Sequence, residues 1–268
     1  MAALTFTLRA EVPERLDLSA LVPSALDGKS ASEIEKIVVG TTRKAPAVGD
    51  LFKVSGDDVT DIRFAGGSER FDHVGKALAG GSIHVEGDVG GWLAAGMKSG
   101  SVTVTGSAMG PYAAAEISGG SVTIEGNAGD CLGAALPGYM NGMAGGFVLV
   151  GGICGEAAGD RMRRGTIAVL GGTGDATGVR MIGGSILSPS MGARTGLMMK
   201  RGTLISSTPV ELSSTFVDSG LYRLPFLALL RKHLGEVMPR AAHLVPSVAH
   251  RFRGDMSMLG KGEVLVAQ

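Results

Sequence analysis

The sequence predicts an all-β chain coiled into a parallel β-solenoid of roughly 19-residue turns, with a helix-containing C-terminal cap. Three observations predict it. Glycine supplies 44 of the 268 residues, well above the roughly 7% of an average protein. A glycine-flanked strand motif recurs seven times at near-constant spacing. Aromatic residues make up only 4% of the chain, which suits a narrow core filled by Val, Ile, Leu, Ala and Met.

The first clean copy of the motif runs from Gly80 through Ile83 and Val85 to Gly90, and the last runs from Gly202 to Ser206. Aligned on the glycine that precedes the strand, the copies fall at Gly81, Gly100, Gly120, Gly146, Gly165, Gly184 and Gly202, with steps of 19, 20, 26, 19, 19 and 18. The long step marks an insertion of about seven residues within Leu132–Asn141. In each copy inward Ile or Val alternates with outward Ser, Thr, His or Glu, the period of a half-buried strand. A strand this short cannot bury a face alone, so each turn must stack on the next and pair with it in parallel. Second glycine-flanked segments, such as Gly90–Gly96 and Gly171–Gly178, are expected to form the other sides of each turn. Fainter turns are expected at Ile37–Gly40, Leu51–Gly56 and Ile62–Gly66.

The ends differ from the middle and divide the chain into three parts. Residues 1–32 alternate at Leu4, Phe6 and Leu8, which predicts an edge strand and an N-terminal cap. Residues 33–206 form the coil. Residues 207–268 lose the repeat and are expected to form the C-terminal cap. Within them Leu221–Leu234 has helical apolar spacing, with cations Arg231, Lys232 and His233 before Gly235. That helix is expected to cover the open end of the stack, and Gly262–Val266 to add a final strand.

Composition narrows the function. Lys and Arg together number 25, as do Asp and Glu, so the basic excess of a nucleic-acid binder is missing. Cys131 and Cys154 form neither a CxxC pair nor a zinc-ligand spacing, and two free thiols suit a reducing cytoplasm. The N-terminus lacks a basic segment followed by an apolar one, and no apolar run is long enough to span a membrane. The reading is a cytoplasmic protein with no nucleic-acid or membrane partner.

The motifs of catalysis are thin. Gly171-Gly172-Thr173-Gly174 resembles a phosphate loop but opens no helical pattern, so structural corners are the better reading. A hexapeptide acyltransferase coil is excluded by the period of 19. His84 sits on a strand at an outward position, and no paired carboxylates can be placed from spacing. Trp92, Tyr112, Tyr139 and Tyr222 look scattered, which argues against a sugar-binding platform. No catalytic or metal-binding residue is assigned. One pattern points to binding: Lys98, Arg161, Arg163, Arg164, Arg180, Lys200 and Arg201 cluster just before the strand glycines. Equal offsets stack in a regular coil, so these cations are expected to form a basic stripe suited to carboxylate or phosphate groups.

The string Gly159-Asp160-Arg161-Met162-Arg163-Arg164-Gly165-Thr166-Ile167, followed by Arg180-Met181-Ile182-Gly183-Gly184-Ser185-Ile186, carries a family resemblance. So do Val48–Val54, Arg253-Gly254-Asp255 and Gly260–Val266. From about Ile34 to Val266 the chain resembles the C subunit of formylmethanofuran dehydrogenase, and more closely the C subunit of the formyltransferase/hydrolase complex of methylotrophic bacteria. The glycine repeats alone are shared with the C-terminal domain of glutamate synthase. The resemblance implies a right-handed β-helix that acts as a non-catalytic scaffold in one-carbon metabolism and formaldehyde oxidation. Partners would then be a formyltransferase-like subunit acting on formyl-tetrahydromethanopterin, a zinc amidohydrolase-like subunit releasing formate, and a further subunit. In the dehydrogenase alternative, molybdenum or tungsten and iron–sulfur centres would lie in other subunits. A glutamate-synthase-like spacer is the remaining alternative. The methanofuran-type carrier of the family bears glutamates, so the basic stripe is expected to contact its anionic tail. The irregular stretch Asp130–Met143, with Pro137, Gly138 and Tyr139, is expected to dock a partner.

Overall fold

The structure, a computed structural model, describes residues 2–268. Its strands in chain order are β1 (Ala3–Leu8), β2 (Leu16–Asp17), β3 (Phe52–Ser55), β4 (Asp58–Ala65), β5 (Phe71–Asp72), β6 (Ala79–Glu86), β7 (Ser99–Val104), β8 (Ser121–Ile124), β9 (Ala144–Val150), β10 (Ile153–Cys154), β11 (Arg164–Val169), β12 (Gly172–Thr173), β13 (Ser185–Ser188), β14 (Arg201–Ser206), β15 (Val217–Tyr222), β16 (Ala249–Gly254) and β17 (Lys261–Ala267). Three short helices, α1 (Pro23–Leu26), α2 (Ala31–Glu35) and α3 (Val48–Leu51), lie near the N-terminus, and α4 (Pro225–Val237) near the C-terminus. A 13-stranded sheet runs in the order β15-β16-β17-β14-β13-β11-β9-β8-β7-β6-β4-β1-β3. From β1 to β17 neighbouring strands of this order are parallel, as the repeat requires, and both ends close with antiparallel pairs.

Register follows the repeat. Ile62, Ile83, Val102, Val122, Val148, Ile167, Ile186, Leu204 and Val264 are Cα partners from strand to strand, and all are buried in one core. A second parallel ladder joins Val89, Ala108, Ala128 and Cys154, then Thr173 and Met191. A third links the residues before the strands: Lys98 N–H donates to Leu78 C=O, Ser118 to Met97, Arg163 to Met143 and Lys200 to Met181. On this side every second residue has positive φ, including non-glycines such as Trp92 (57°), Glu116 (57°), Arg161 (55°) and Arg180 (54°). The alternation turns successive N–H groups to opposite neighbours. Ala94 donates to Val74 on the preceding turn, while Trp92 and Gly96 donate to Pro111 and Ala115 on the following one. The left-handed conformation costs a side chain about 1–2 kcal/mol, and satisfied backbone bonds on both sides hold it in place.

The insertion leaves the coil after Ala135, whose N–H donates to Asp160, and rejoins it at Gly142, whose N–H donates to Arg161. The early segments depart from expectation. Val38 bridges Ala47 antiparallel, and β3 pairs antiparallel with β1, so Ile37–Gly40 and Leu51–Gly56 belong to the cap and not to stacked turns. Strand β1 lies between β3 and β4 and is not the edge. Phe6, Phe52, Phe64 and Phe71 gather here, with Phe6 stacked on Phe64 at 5.1 Å and Phe52 tilted against Phe71 at 5.6 Å. Aromatic rings fill the end of the core that no further turn covers.

Helix α4 also differs. It begins at Pro225, whose missing N–H is no loss at a first helical position, while Leu221 and Tyr222 belong to β15. It runs past Gly235 to Val237, which leaves Arg231, Lys232 and His233 mid-helix. It does not close the end of the stack. Leu227, Leu234 and Met238 instead pack on Leu149, Ala168, Leu187, Ile205 and Leu265, the outward row of β9, β11, β13, β14 and β17. On β6, β7 and β8 the same row carries His84, Thr103 and Thr123. The switch from polar to apolar at Leu149 is what seats the helix on the flank.

Candidate binding site

The seven cations occupy three offsets of the third side. Lys98, Arg163 and Lys200 share one, but Ser118 and Ala144 separate the first two and Ile182 separates the last two. Arg164 and Arg201 share the next offset, with Gly183 between them. Arg161 and Arg180 are direct neighbours at a left-handed corner, with Met198 following. Lys98 stands alone, Arg163, Arg164 and Arg201 line no common cavity, and the cations that converge on one are Arg161, Arg180 and Lys200, of which Arg180 and Lys200 are exposed too.

These three line a cavity of ≈ 250 Å³ with Met140, Ile182, Met198 and Met258. Two of its cations are ordered by one carboxylate behind them. Asp160, buried, receives two hydrogen bonds from Arg180, at 2.8 and 2.7 Å, and lies 3.9 Å from Arg161. A bidentate pair fixes the guanidinium plane, so Arg180 is held in place. Arg161 also donates to the Tyr139 carbonyl at 3.5 Å, and Glu116 accepts from Leu136 N–H at 3.2 Å. The insertion is thereby tied down at both ends over this cavity. Lys200 has no acidic partner among the described residues. One carboxylate against three cations leaves the cavity positive, which attracts an anion.

Sequence reasoning missed a second feature. Trp92 and Tyr112 are not scattered: they share an offset with His73, and the three rings stack at 5.0 and 6.4 Å between centroids. The signal was present in the steps of 19 and 20 between residues 73, 92 and 112. The faces are consumed by stacking on each other, so this is a spine and not an open platform. His73 Nδ1 is buried without a hydrogen-bond partner, and burial, reinforced by Lys76, holds the imidazole pKa below its usual value. The Tyr112 hydroxyl faces Cys131, next in the row. Burial pushes the Cys131 thiol up and the more deeply buried Cys154 thiol to about 12.

No family model matches the chain. A protein of Methylorubrum extorquens, the C subunit of the formyltransferase/hydrolase complex Fhc, is 44% identical over 263 residues, covering 98% of each chain. The chain belongs to the family of formyltransferase/hydrolase complex C subunits. The crystal structure of the formyltransferase/hydrolase complex FhcABCD from the same organism, in complex with methylofuran, contains a chain that superposes on this one with a TM-score of 0.94. That chain is 43% identical, and the match covers 98% of this chain and 99% of the other. The C subunit of molybdenum-containing formylmethanofuran dehydrogenase 1 from Methanosarcina barkeri is 32% identical over 95 residues, 34% of this chain and 32% of that one. The family resemblance read from the sequence therefore holds, and the formyltransferase/hydrolase branch is the one matched along the whole length. No helix among the described residues is long and apolar enough to cross a membrane.

Proposed function

We propose that this chain is the non-catalytic scaffold of a four-subunit cytoplasmic complex. The complex moves a formyl group from tetrahydromethanopterin to a methanofuran-type carrier and hydrolyses it to formate. The observation that carries the reading is full-length similarity to a subunit of the FhcABCD complex. The chain's own design fits it. Parallel ladders on three sides, in steps near 19 residues, are the pattern of a right-handed β-helix, with the coil running from β4 at Asp58 to residue 206, later in its start than the residue 33 expected from the sequence, and the flanking segments as caps. Such a rod is stiff and offers long faces for partners. Catalysis falls to the formyltransferase-like and zinc amidohydrolase-like subunits. A molybdenum or tungsten dehydrogenase is less well supported, since that similarity spans only about a third of the chain.

The basic cluster takes the carrier's anionic tail. Arg161, Arg180 and Lys200 would hold carboxylates in the cavity, with Arg163, Arg164 and Arg201 along the exposed edge and Lys98 outlying. The methionine and isoleucine walls suit the methylene stems of glutamate side chains. A tail held here keeps the formyl-bearing end at high effective concentration near both active sites. The test is the intact complex carrying Arg161→Gln, Arg180→Gln and Lys200→Gln together. Carrier content, measured after a moderate-salt wash, is expected to fall at least tenfold. Unchanged carrier content would remove the tail-binding role while leaving the scaffold role standing.

A further inference from the structure

Helix α4 is only half used by this chain. Of its 13 residues, Leu227 and Leu234 alone are buried. A second apolar set, Phe226, Leu229 and Val237, recurs on another face of the helix and points to solvent. Leu229 is 70% exposed, more than any other large hydrophobic residue among the described residues. Beside it in the chain is β15, the outermost strand of the 13-stranded sheet, whose Tyr222 and Val217 pair with Ala249 and Arg253 and so lie on the sheet face that the helix covers, Val217 51% and Tyr222 41% exposed. A sheet edge and a helix face, joined through Arg223 and Leu224, thus both leave large apolar side chains open to solvent, as interfaces do.

The charges around it are one-sided. Arg253 lies opposite Val217 in the β15–β16 register, Arg223 follows Tyr222, and Lys232 lies one turn beyond Leu229. None of the three has an acidic partner within 4 Å among the described residues. The nearby carboxylates are mostly engaged: Asp218 pairs with His250 at 2.5 Å, and Glu263 with Arg251 at 2.8 Å. Glu236 on α4 is the one left over. A second copy of this chain would bring the same cations face to face across a two-fold axis, and like charges brought together select against that contact.

We infer that the β15–α4 strip docks a different subunit, through an apolar knob on that subunit ringed by carboxylates. The inference rests on the assembly proposed above and says which surface holds it together. The edge of β15 adds free N–H and C=O groups, so a strand of the same partner can pair there. The cationic rim would speed and orient docking, and the apolar centre would set its lifetime.

The experiment is co-expression of tagged full-length chain with its partner subunits, followed by affinity recovery at 0.1 and 0.5 M salt. Leu229→Glu is expected to lower recovered partner at least tenfold at both salts. Arg223→Glu with Arg253→Glu is expected to lower it at least tenfold at low salt. Because Leu229 is so exposed, the free variant should melt where the wild type melts, and Glu236→Gln should recover partner normally. Wild-type levels of partner on both variants would overturn the inference while leaving the assembly intact. So would a free chain that is dimeric and becomes monomeric with Leu229→Glu, since the occupant would then be a second copy. A wild-type chain that recovers no partner would sink the assembly and the inference together.

Discussion

Replacing Gly184 by Ala tests the packing rule that joins one turn to the next. Gly184 has φ +95°, and a Cβ there would lie 2.7 Å from Met162 Cε and 3.0 Å from the Gly165 carbonyl oxygen. The arrangement repeats: Met97 meets Gly120, Met143 meets Gly165, Met181 meets Gly202 and Met199 meets Gly262 in the same way. Each thioether tip thus fills the space left by a missing side chain on the following turn. The left-handed backbone costs alanine about 1–2 kcal/mol, and overpacking costs about 1–3 kcal/mol. The sum, about 2–5 kcal/mol, corresponds to a fall in Tm of about 4–20 °C at about 2–4 °C per kcal/mol for a chain of this size. Thermal unfolding followed by circular dichroism reads it directly. Repeating Gly184→Ala in a Met162→Ala background removes the tip but not the Gly165 carbonyl, so the cost of Gly184→Ala should shrink toward its backbone part of about 1–2 kcal/mol. A Tm unchanged by Gly184→Ala would show that the rule is wrong, and so would costs that simply add in the double variant.

Three further outcomes follow from the site. Asp160→Asn leaves Arg180 without its buried counter-charge and should cost about 1–3 kcal/mol, read as a lower midpoint in urea, while Asp175→Asn at the more exposed pair with Arg194 should cost under about 1 kcal/mol. The folded-state pKa of His73 is depressed, so the folded chain binds fewer protons than the unfolded one below about pH 6.5. Stability is therefore highest above that pH and falls as the pH drops toward the folded pKa. His73→Phe, which keeps a ring in the stack, should flatten that slope, and an equally steep slope would place its origin elsewhere. Thiol labelling at pH 8 should modify Cys131 slowly and Cys154 not at all until denaturant is added, since burial drives the Cys154 thiol to about 12. Equal rates in the folded chain would show that the core around Cys154 opens freely.

The coil was legible because its physics is local and repeated. Glycine before each strand and Ile or Val at alternate positions fix register, so Gly81 to Gly202 could be aligned without a structure. The insertion was legible for the same reason, as a break in the count. The helix position was not, because its seat is set by partners far along the chain. Its cue, the change from Thr123 to Leu149 in the outward row, is meaningful only once those residues are known to be Cα partners. The cap near residues 37–56 was misread because an antiparallel ladder and a coil turn show the same alternation at short length. In the site, Arg161 and Arg180 could be found by spacing, while Lys98 shares an offset but is cut off by two intervening turns. The buried role of Asp160 and the His73–Trp92–Tyr112 spine lay in the same periodic count. They went unread because the offset of those residues was not followed around the turn.

The scaffold role is best tested by affinity recovery of the tagged chain from its native source, with mass spectrometry and metal analysis of what accompanies it. Stoichiometric formyltransferase-like and amidohydrolase-like chains, with zinc in the recovered complex, are the expected result. A chain recovered alone, or one recovered with molybdenum or tungsten and iron–sulfur subunits, would rule that role out.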